Sequence, residues 1–504
     1  MAPSLLKASV VVVPNLLTTY IMSIMATYLT DVWELSITHA AAIVNLYSGM
    51  VGIIPVGLIC VVYMTGFTGS YWMILLSRFS FTAGLVLLTL STPPVLSWAT
   101  GTCSASEAEC IGQVQKILFY TSLPLIAVGV SAHLASTLTF LDELLKQKKS
   151  EPLLPSSSES DEQTPPTTTT TTTTPESNGT AGGRANSFLS YFTTEHFFGV
   201  ILMVLFPAAA LLAIGYISSW WIKFGIGAIC TLVSTSIFLS GLSSYPRGPR
   251  PQPIRLTKIF RVQDTKTILT LIATCTTCII TGVVISIGNT YFIEQATDLN
   301  HYVGSLWVPV IIFPVYFQEL SKKLCAREIK RCAGYHVFGI AVSMVFATLC
   351  CITAAKVETR RLGLVESEGF VDEPTSVISM TMFWLLPQFL LLGVAEDLSE
   401  RSVIKIFTEK LEIKTPEEDV DAKAIREDKN MYMKMFAQAV SGVGIICGVL
   451  SVYVVGEISA KVGGTSWFQY TLNKSHLDNY YWALAALSAA NLVVYVLLYF
   501  LDLI

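Results

Sequence analysis

The chain has 504 residues, 52% of them hydrophobic and only 13% charged, with a formal net charge of −4. Soluble domains carry about 25% Asp, Glu, Lys and Arg, so the composition excludes an ordinary soluble protein and fits a polytopic protein embedded in a lipid bilayer. The acidic balance, with no basic patch outside short loops, excludes a nucleic-acid partner.

The first apolar run, "ASVVVVPNLLTTYIMSIMATYLT" at 8–30, holds no charge. It is far longer than the apolar core of a secretory signal, about 7–15 residues, and no small-residue cleavage site follows it. It is therefore expected to remain as a membrane helix. Length and scarcity of charge predict eleven further spans, at 40–63, 71–91, 115–141, 192–214, 219–241, 267–291, 301–320, 333–355, 377–408, 433–455 and 479–501. "AEDLSER" interrupts the tenth span of the series.

The connections set the orientation. Basic segments ("KQKK", "RGPRPQPIRLTKIFR", "SKKLCAREIKR") follow spans 4, 6 and 8, whereas Asp31, Glu34, Glu107, Glu109 and Asp298 follow spans 1, 3 and 7. Positive charge stays on the cytosolic side, which predicts cytosolic termini. The longest polar insertion, about 142–190, is Ser-, Thr-, Pro- and Gly-rich and reads as a disordered cytosolic loop. It is a tolerated spacer or, as the functional alternative, a tether for a cytosolic partner or a kinase. The glycosylation triplet at Asn178 falls on the wrong side of the membrane, whereas "NKS" at Asn473 is expected to face outward. Most of the eleven cysteines lie in spans and read as small core residues. Cys103 and Cys110, in the outer "CSASEAEC", either form a disulfide or stay free.

Hydropathy alone permits a 4+8 or a 6+6 grouping. Specific motifs go further: "LNKSHLDNYYWALAALSAANLVVY" at 472–495, "FWLLPQFLLLGVAE" at 383–396, "NLYSG" at 45–49, "GSYW" at 69–72, "LLTLS" at 87–91, "VQDTKTILTLI" at 262–272 and "FIEQAT" at 292–297. In order and content these resemble the plant nitrate/peptide transporter family, the proton-coupled oligopeptide transporter branch of the major facilitator superfamily. The resemblance implies an all-α membrane fold of twelve transmembrane helices in two six-helix bundles, a central cavity and alternating access. The expected division is an N-terminal bundle at 1–241, a linker at 242–266 and a C-terminal bundle at 267–504.

The departures from the family are as specific. Aligned on "TYLTD", the first-helix E-x-x-E-R falls on Val11, Val12, Val13, Pro14 and Asn15, so both acids and the arginine of its proton coupling are missing. The fourth-helix lysine falls near His133 and Leu134. The acid and arginine after helix 2 fall on Thr65 and Ser70, the Tyr-Asp-Arg after helix 8 reads Tyr316, Phe317 and Gln318, and a later tenth-helix glutamate reads Lys405. Losing acid and arginine together leaves no uncompensated buried charge, so folding tolerates it. Pro14 is expected to bend helix 1.

Among the remaining ionisable groups, Glu396 matches the family's cavity-lining glutamate, with a place at the cytosolic interface as its alternative. His133 is either a satisfied core histidine or a proton or anion contact. Asp397 and Arg401, four residues apart, are expected to pair on one helix face, and Arg78 to snorkel to the cytosolic interface. Lys405 would belong to the cytosolic rim or supply a cation to the cavity. Asn45, Tyr47, Asn289, Trp307, Trp384 and Gln388 are candidate lining residues, each with helix packing as the alternative. No nucleophile and base constellation, phosphate loop or metal-ligand spacing stands out, which points away from an enzyme and implies no cofactor. The sequence thus predicts a secondary transporter of a small organic or anionic solute in the plasma or vacuolar membrane. The missing cations favour a less charged organic solute, and the missing acids favour weak proton coupling or uniport. The alternative is a non-transporting receptor or partner protein on the same fold.

Overall fold

The computed structural model describes residues 13–65, 70–150, 213–240, 265–329, 336–374, 376–411 and 421–501. Most of the fifth predicted span, of the polar insertion and of the linker, and Val11 and Val12, lie outside the described residues, as do the side chains of Val13, Asn15, Thr65 and Ser70. Every predicted span except the fifth has a described helix. Nine helices among the described residues are long and apolar enough to cross a membrane.

The N-terminal group contains α1 (Val13–Asp31), α2 (Ile37–Thr65), α3 (Ser70–Leu90), the short α4 (Pro93–Thr100), α5 (Gln113–Ser150) and α6 (Trp220–Ser240). Polar residues are scarce along these runs, so each helix satisfies its own backbone and turns apolar side chains both to its neighbours and outward. α3 lies along α5 and α6, and α2 packs on α5. Their buried residues, from Leu17 and Tyr28 through Phe119 to Phe224, form one apolar core. Pro14 stands at the start of the described part of α1, and the turn before it, where the bend was expected, lies outside the described residues. Helix α5 continues to Ser150, past residue 142, where a loop was expected. The charged, Lys-rich end of the span, "LDELLKQKK", still favours a helix, because Leu, Glu, Lys and Gln are good helix formers whatever their hydropathy.

The C-terminal group begins with α7 (Thr265–Gly288). Its run is interrupted at Asn289 and Thr290 and resumes as α8 (Tyr291–Thr297). The predicted eighth span is corrected at its start. Residues 301–307 are not helical: β2 (Tyr302–Val303) pairs antiparallel with β3 (Leu306–Trp307) about Gly304, whose φ of 62° needs glycine. The helix follows, with π geometry over Phe313–Gln318 passing into α9 (Glu319–Ile329). It therefore carries "SKKLCARE" as helix, where a loop was predicted. Next come α10 (His336–Glu368), the strand β4 (Ile378–Thr381), α11 (Leu386–Lys410), α12 (Asp421–Gly463) and α13 (Leu477–Phe500). β4 runs parallel to β1 (Leu299–Asn300), with Leu299 opposite Ile378. The group has two apolar clusters, one around Phe292, Phe389 and Tyr481 and one around Met344, Phe407 and Met433.

The connections at 31–36, 298–311, 369–385 and 464–476 gather at one end of the bundle, hereafter the hairpin end. There Tyr470 donates to the Glu34 carbonyl, and Tyr216 donates to the Trp307 carbonyl at 2.9 Å. At the same end, α1 meets α8 through Thr30, which donates to Glu294 at 3.4 Å. The two groups also meet where α2 crosses α12. A Cβ on Gly442 would lie 2.5 Å from the Gly49 carbonyl oxygen, so only glycine permits this approach of the two backbones.

Candidate functional site

A cavity of about 260 Å3 lies between the two groups, beside that crossing. Helix α2 contributes Ser48, Val51 and Gly52, α5 contributes Leu134, and α7 contributes Cys278 to Ile285 at helical spacing; α11 and α12 supply the rest. The walls are largely apolar with hydroxyls from Ser48, Thr281, Ser399 and Ser441, the mixture usual for small-molecule sites.

Its charged residues are Glu396 and Glu400, one turn apart on α11 and so on one face. Glu396 lies well inside α11 and lines the cavity. Its carboxylate is already engaged: Lys322 on α9 pairs with it at 2.8 Å, and the Gln318 amide donates to it at 3.0 Å. Lys322 also pairs with Glu319 at 2.9 Å. Glu400 has a looser contact, a 3.5 Å donation from the Gln438 amide of α12. Asp397 lies on another face and accepts from Arg401 at 2.8 Å, as its spacing predicted.

None of the other sequence candidates lines this cavity. Asn45 is buried and donates to the Ser286 carbonyl at 3.0 Å and the Thr290 hydroxyl at 3.3 Å, fastening α2 to α7. Tyr47 lies among Met25, Ile43 and Leu123, away from the cavity. Asn289 is half-buried at the interruption after α7, its N–H bonded to the Ile285 carbonyl. Trp307 stacks on His301 at the hairpin end, and Trp384 is 44% exposed with Arg360 over its ring at 4.2 Å. Gln388 is wholly buried against Cys350, which donates to its carbonyl. His133 is buried beside Thr137 and lines a much smaller cavity of about 20 Å3 with Pro14 and Arg78. Arg78 does not snorkel: it is 4% exposed, donates to Ser234 at 2.8 Å and lies over the Phe238 ring. Lys405 is not a lining residue.

The sequence missed two groups of residues. Lys322 and Gln318 were assigned to a loop and to a lost motif, and Glu400 and Gln438 carried no motif; the spacing of four between Glu396 and Glu400 was the available signal. The second group is a buried network at the hairpin end. Arg361 pairs with Glu358 at 2.8 Å and donates to Asn473 at 2.7 Å and to the Leu472 carbonyl at 3.1 Å, while Gln295 donates to Glu358 at 2.6 Å. Asn473, expected to be available for glycosylation, is 6% exposed and held on both sides, its amide donating to the Phe370 carbonyl. Cys103 and Cys110 form a disulfide.

Comparison with known proteins gives this arrangement a context. No protein-family model matches the chain. Among curated proteins, it is 27% identical over 547 residues to Protein NRT1/PTR FAMILY 5.5 of Arabidopsis thaliana, covering 93% of this chain and 91% of that one. It is 24% identical to Protein NRT1/PTR FAMILY 5.12 of the same plant, covering 93% and 86%. Along nearly its whole length the chain is similar to plant NRT1/PTR proteins. The solved structures agree on the fold. An auto-inhibited POT family peptide transporter superposes with a TM-score of 0.61 at 13% identity, covering 98% of this chain and 96% of the other. A POT family transporter in complex with a thioalcohol-conjugated peptide gives 0.58 at 10%, covering 98% and 95%. The protein is an integral membrane protein with the fold of the POT transporters, and the proteins it resembles are membrane transporters rather than enzymes.

Proposed function

We propose that the protein is a secondary carrier that moves a small organic solute by alternating access, with the cavity at the α2–α12 crossing as its solute site. The observation that carries this reading is a 260 Å3 cavity walled by both helical groups, closed toward the hairpin end by the contacts of Thr30, Tyr470 and Tyr216. Positive-inside orientation puts the hairpin end outside and both termini in the cytosol, in the plasma or the vacuolar membrane. The Ser/Thr-rich insertion serves as a spacer open to a cytosolic kinase.

Transport on this reading is a uniport or only weakly proton-coupled. The first-helix acids and arginine are absent from the sequence at Val11 to Asn15. Of the two groups best placed to replace them, Glu396 is tied to Lys322 and Gln318, and His133 belongs to a separate small cavity.

The test is solute uptake into proteoliposomes from a mixed pool of metabolites, with and without an inward proton gradient. Uptake indifferent to the gradient is expected. Strong proton-driven uptake that survives both Glu396→Gln and His133→Gln would overturn the coupling assignment.

A further inference from the structure

We propose that the cavity selects a small organic cation, an amine with an apolar body, and that Glu400 is the carboxylate that meets its ammonium group. The inference rests on the carrier reading above and specifies its substrate class.

Charge balance is the first step. The lining residues include two carboxylates and no lysine, arginine or histidine. Lys322 neutralises Glu396 from the α9 side and also holds Glu319, so its charge is already shared between two acids. Glu400 forms no ion pair among the described residues. Its described partner is the Gln438 amide at 3.5 Å, longer than an ordinary N–H···O bond. A carboxylate held inside a membrane bundle with one weak neutral donor is costly to keep charged, and a cation entering the cavity supplies what is missing.

Geometry is the second step. Glu400 and Gln438 face each other from α11 and α12, with the hydroxyls of Ser399 and Ser441 beside them as further acceptors for ammonium hydrogens. Val51, Ile285 and Val403 offer an apolar wall for the rest of the solute. The volume is slightly under the ~300–1,000 Å3 of drug-sized sites, which limits the solute to a small molecule.

The same features oppose the family's namesake solutes. Nitrate would enter a cavity whose charged lining residues, Glu396 and Glu400, carry its own sign, with Lys434 and Lys322 acting on Glu400 only from outside the lining. A dipeptide would find a partner for its amine and none for its carboxylate. A field of one sign inside low-dielectric walls concentrates the opposite ion, so selection for cations precedes contact.

The experiment is counterflow of tritiated tyramine into proteoliposomes preloaded with unlabelled tyramine. Nitrate and dialanine are run in parallel, empty liposomes serve as the blank, and thermal stabilisation of the detergent-purified protein is measured with each probe. Tyramine counterflow is expected, falling at least tenfold in Glu400→Gln and remaining measurable in Glu400→Asp, which keeps the charge. Both variants must show the melting temperature of the unaltered protein without ligand, so that lost folding is not mistaken for a lost site. Counterflow of nitrate or dialanine without tyramine overturns the inference and leaves the carrier reading standing. Stabilisation by tyramine, lost in Glu400→Gln, with no counterflow of any probe supports the cation site and overturns the carrier. Tyramine handling that Glu400→Gln leaves unchanged, or neither binding nor counterflow of tyramine, overturns the assignment; in the latter case Glu400 holds only a proton or its amide partner.

Discussion

Replacing Arg361 by Met removes one of the most completely buried charges in the described structure. Arg361 is 1% exposed and Glu358 0%, and the guanidinium meets Glu358 with both Nε and Nη2 at 2.8 Å while donating to Asn473 and to the Leu472 carbonyl. Desolvation is already complete for both partners, so Arg361→Met leaves a buried carboxylate held only by Gln295. Breaking a buried pair in this way costs about 3–5 kcal/mol. The surrounding bonds give no relief, because the Leu472 carbonyl and the Asn473 side-chain oxygen lose their donor as well. Glu358→Gln is expected to cost less, because the guanidinium keeps Asp298 at 4.0 Å and its bonds to Asn473 and the Leu472 carbonyl. In the double variant neither charge remains, so its loss should fall short of the summed single losses by about 2–3 kcal/mol. A reversible SDS-unfolding titration of the protein in micelles measures all three. Single losses below about 1 kcal/mol, as for an exposed pair, or additivity within about 0.5 kcal/mol, would refute the argument that the two residues act as a buried unit.

Glycine at the α2–α12 crossing gives a second prediction. Gly442→Ala places a methyl against the Gly49 carbonyl and should cost about 1–3 kcal/mol through separation of the backbones. Gly363→Ala, where a methyl meets nothing within 4 Å in the C-terminal part of α10, should be neutral or stabilising by up to about 1 kcal/mol; the same unfolding titration checks both. At the hairpin end, Asp298 lies just beyond the membrane-spanning segment, and burial pushes its carboxyl up to about 7. Arg361 opposes that rise, and Glu358 and Asp31 add to it. The folded protein therefore binds a proton there that the unfolded chain releases near its ordinary value, so this contribution to stability is full below about pH 4 and is lost as pH rises through about 7. Melting temperatures between pH 4 and 8 should fall less steeply in Asp298→Asn than in the unaltered protein. Finally, Cys103 and Cys110 should resist maleimide labelling until a reductant is added, and Cys103→Ser should cost about 2 kcal/mol, the loop-entropy value for so short a ring.

Span positions were legible because a bilayer imposes a length, and the apolar runs of α2, α3, α6 and α13 meet it without interruption. Errors arose where side chains satisfy one another inside the protein. Hydropathy ended the ninth span near residue 355, yet α10 runs to Glu368 because Glu358 and Arg361 neutralise each other within it. It began the eighth span at 301 because "YVGSLWV" is apolar, whereas those residues form an exposed hairpin, with Tyr302, Val303 and Leu306 all more than half exposed. Site prediction shows the same division. Glu396 was found through its motif, but its partner Lys322 lies 74 positions away in another helix, and no local pattern connects them. Asn45 and Gln388 were correctly singled out as buried polar residues inside helices. Asn45 bonds across to α7 as helix glue does, whereas the buried Gln388 side-chain amide makes no hydrogen bond among the described residues.

Neutral hydrogen bonds contribute to holding the hairpin end shut. The polar contacts that join α1–α2 to α7–α8 include the Asn45 bonds to Ser286 and Thr290 and the Thr30 contact with Glu294, and no ion pair is found between these helices among the described residues. A neutral hydrogen bond contributes a net of about 0.5–1.5 kcal/mol, so the closed state is favoured by only a few kcal/mol at this seam. Two states that close in energy are what a carrier without an ionic lock requires, because the solute alone must shift the balance. Asn45→Ala tests the point: removing its two bonds should shift the equilibrium toward opening at the hairpin end by about 1–2 kcal/mol, roughly five- to thirtyfold in population. Cys278, buried on the cavity wall, reports the change. In sealed vesicles with the hairpin end outward, an impermeant maleimide should label Cys278 correspondingly faster in Asn45→Ala, as read by peptide mass spectrometry. An unchanged labelling rate, with the variant folded, would mean that the seam is held by apolar packing rather than by these bonds.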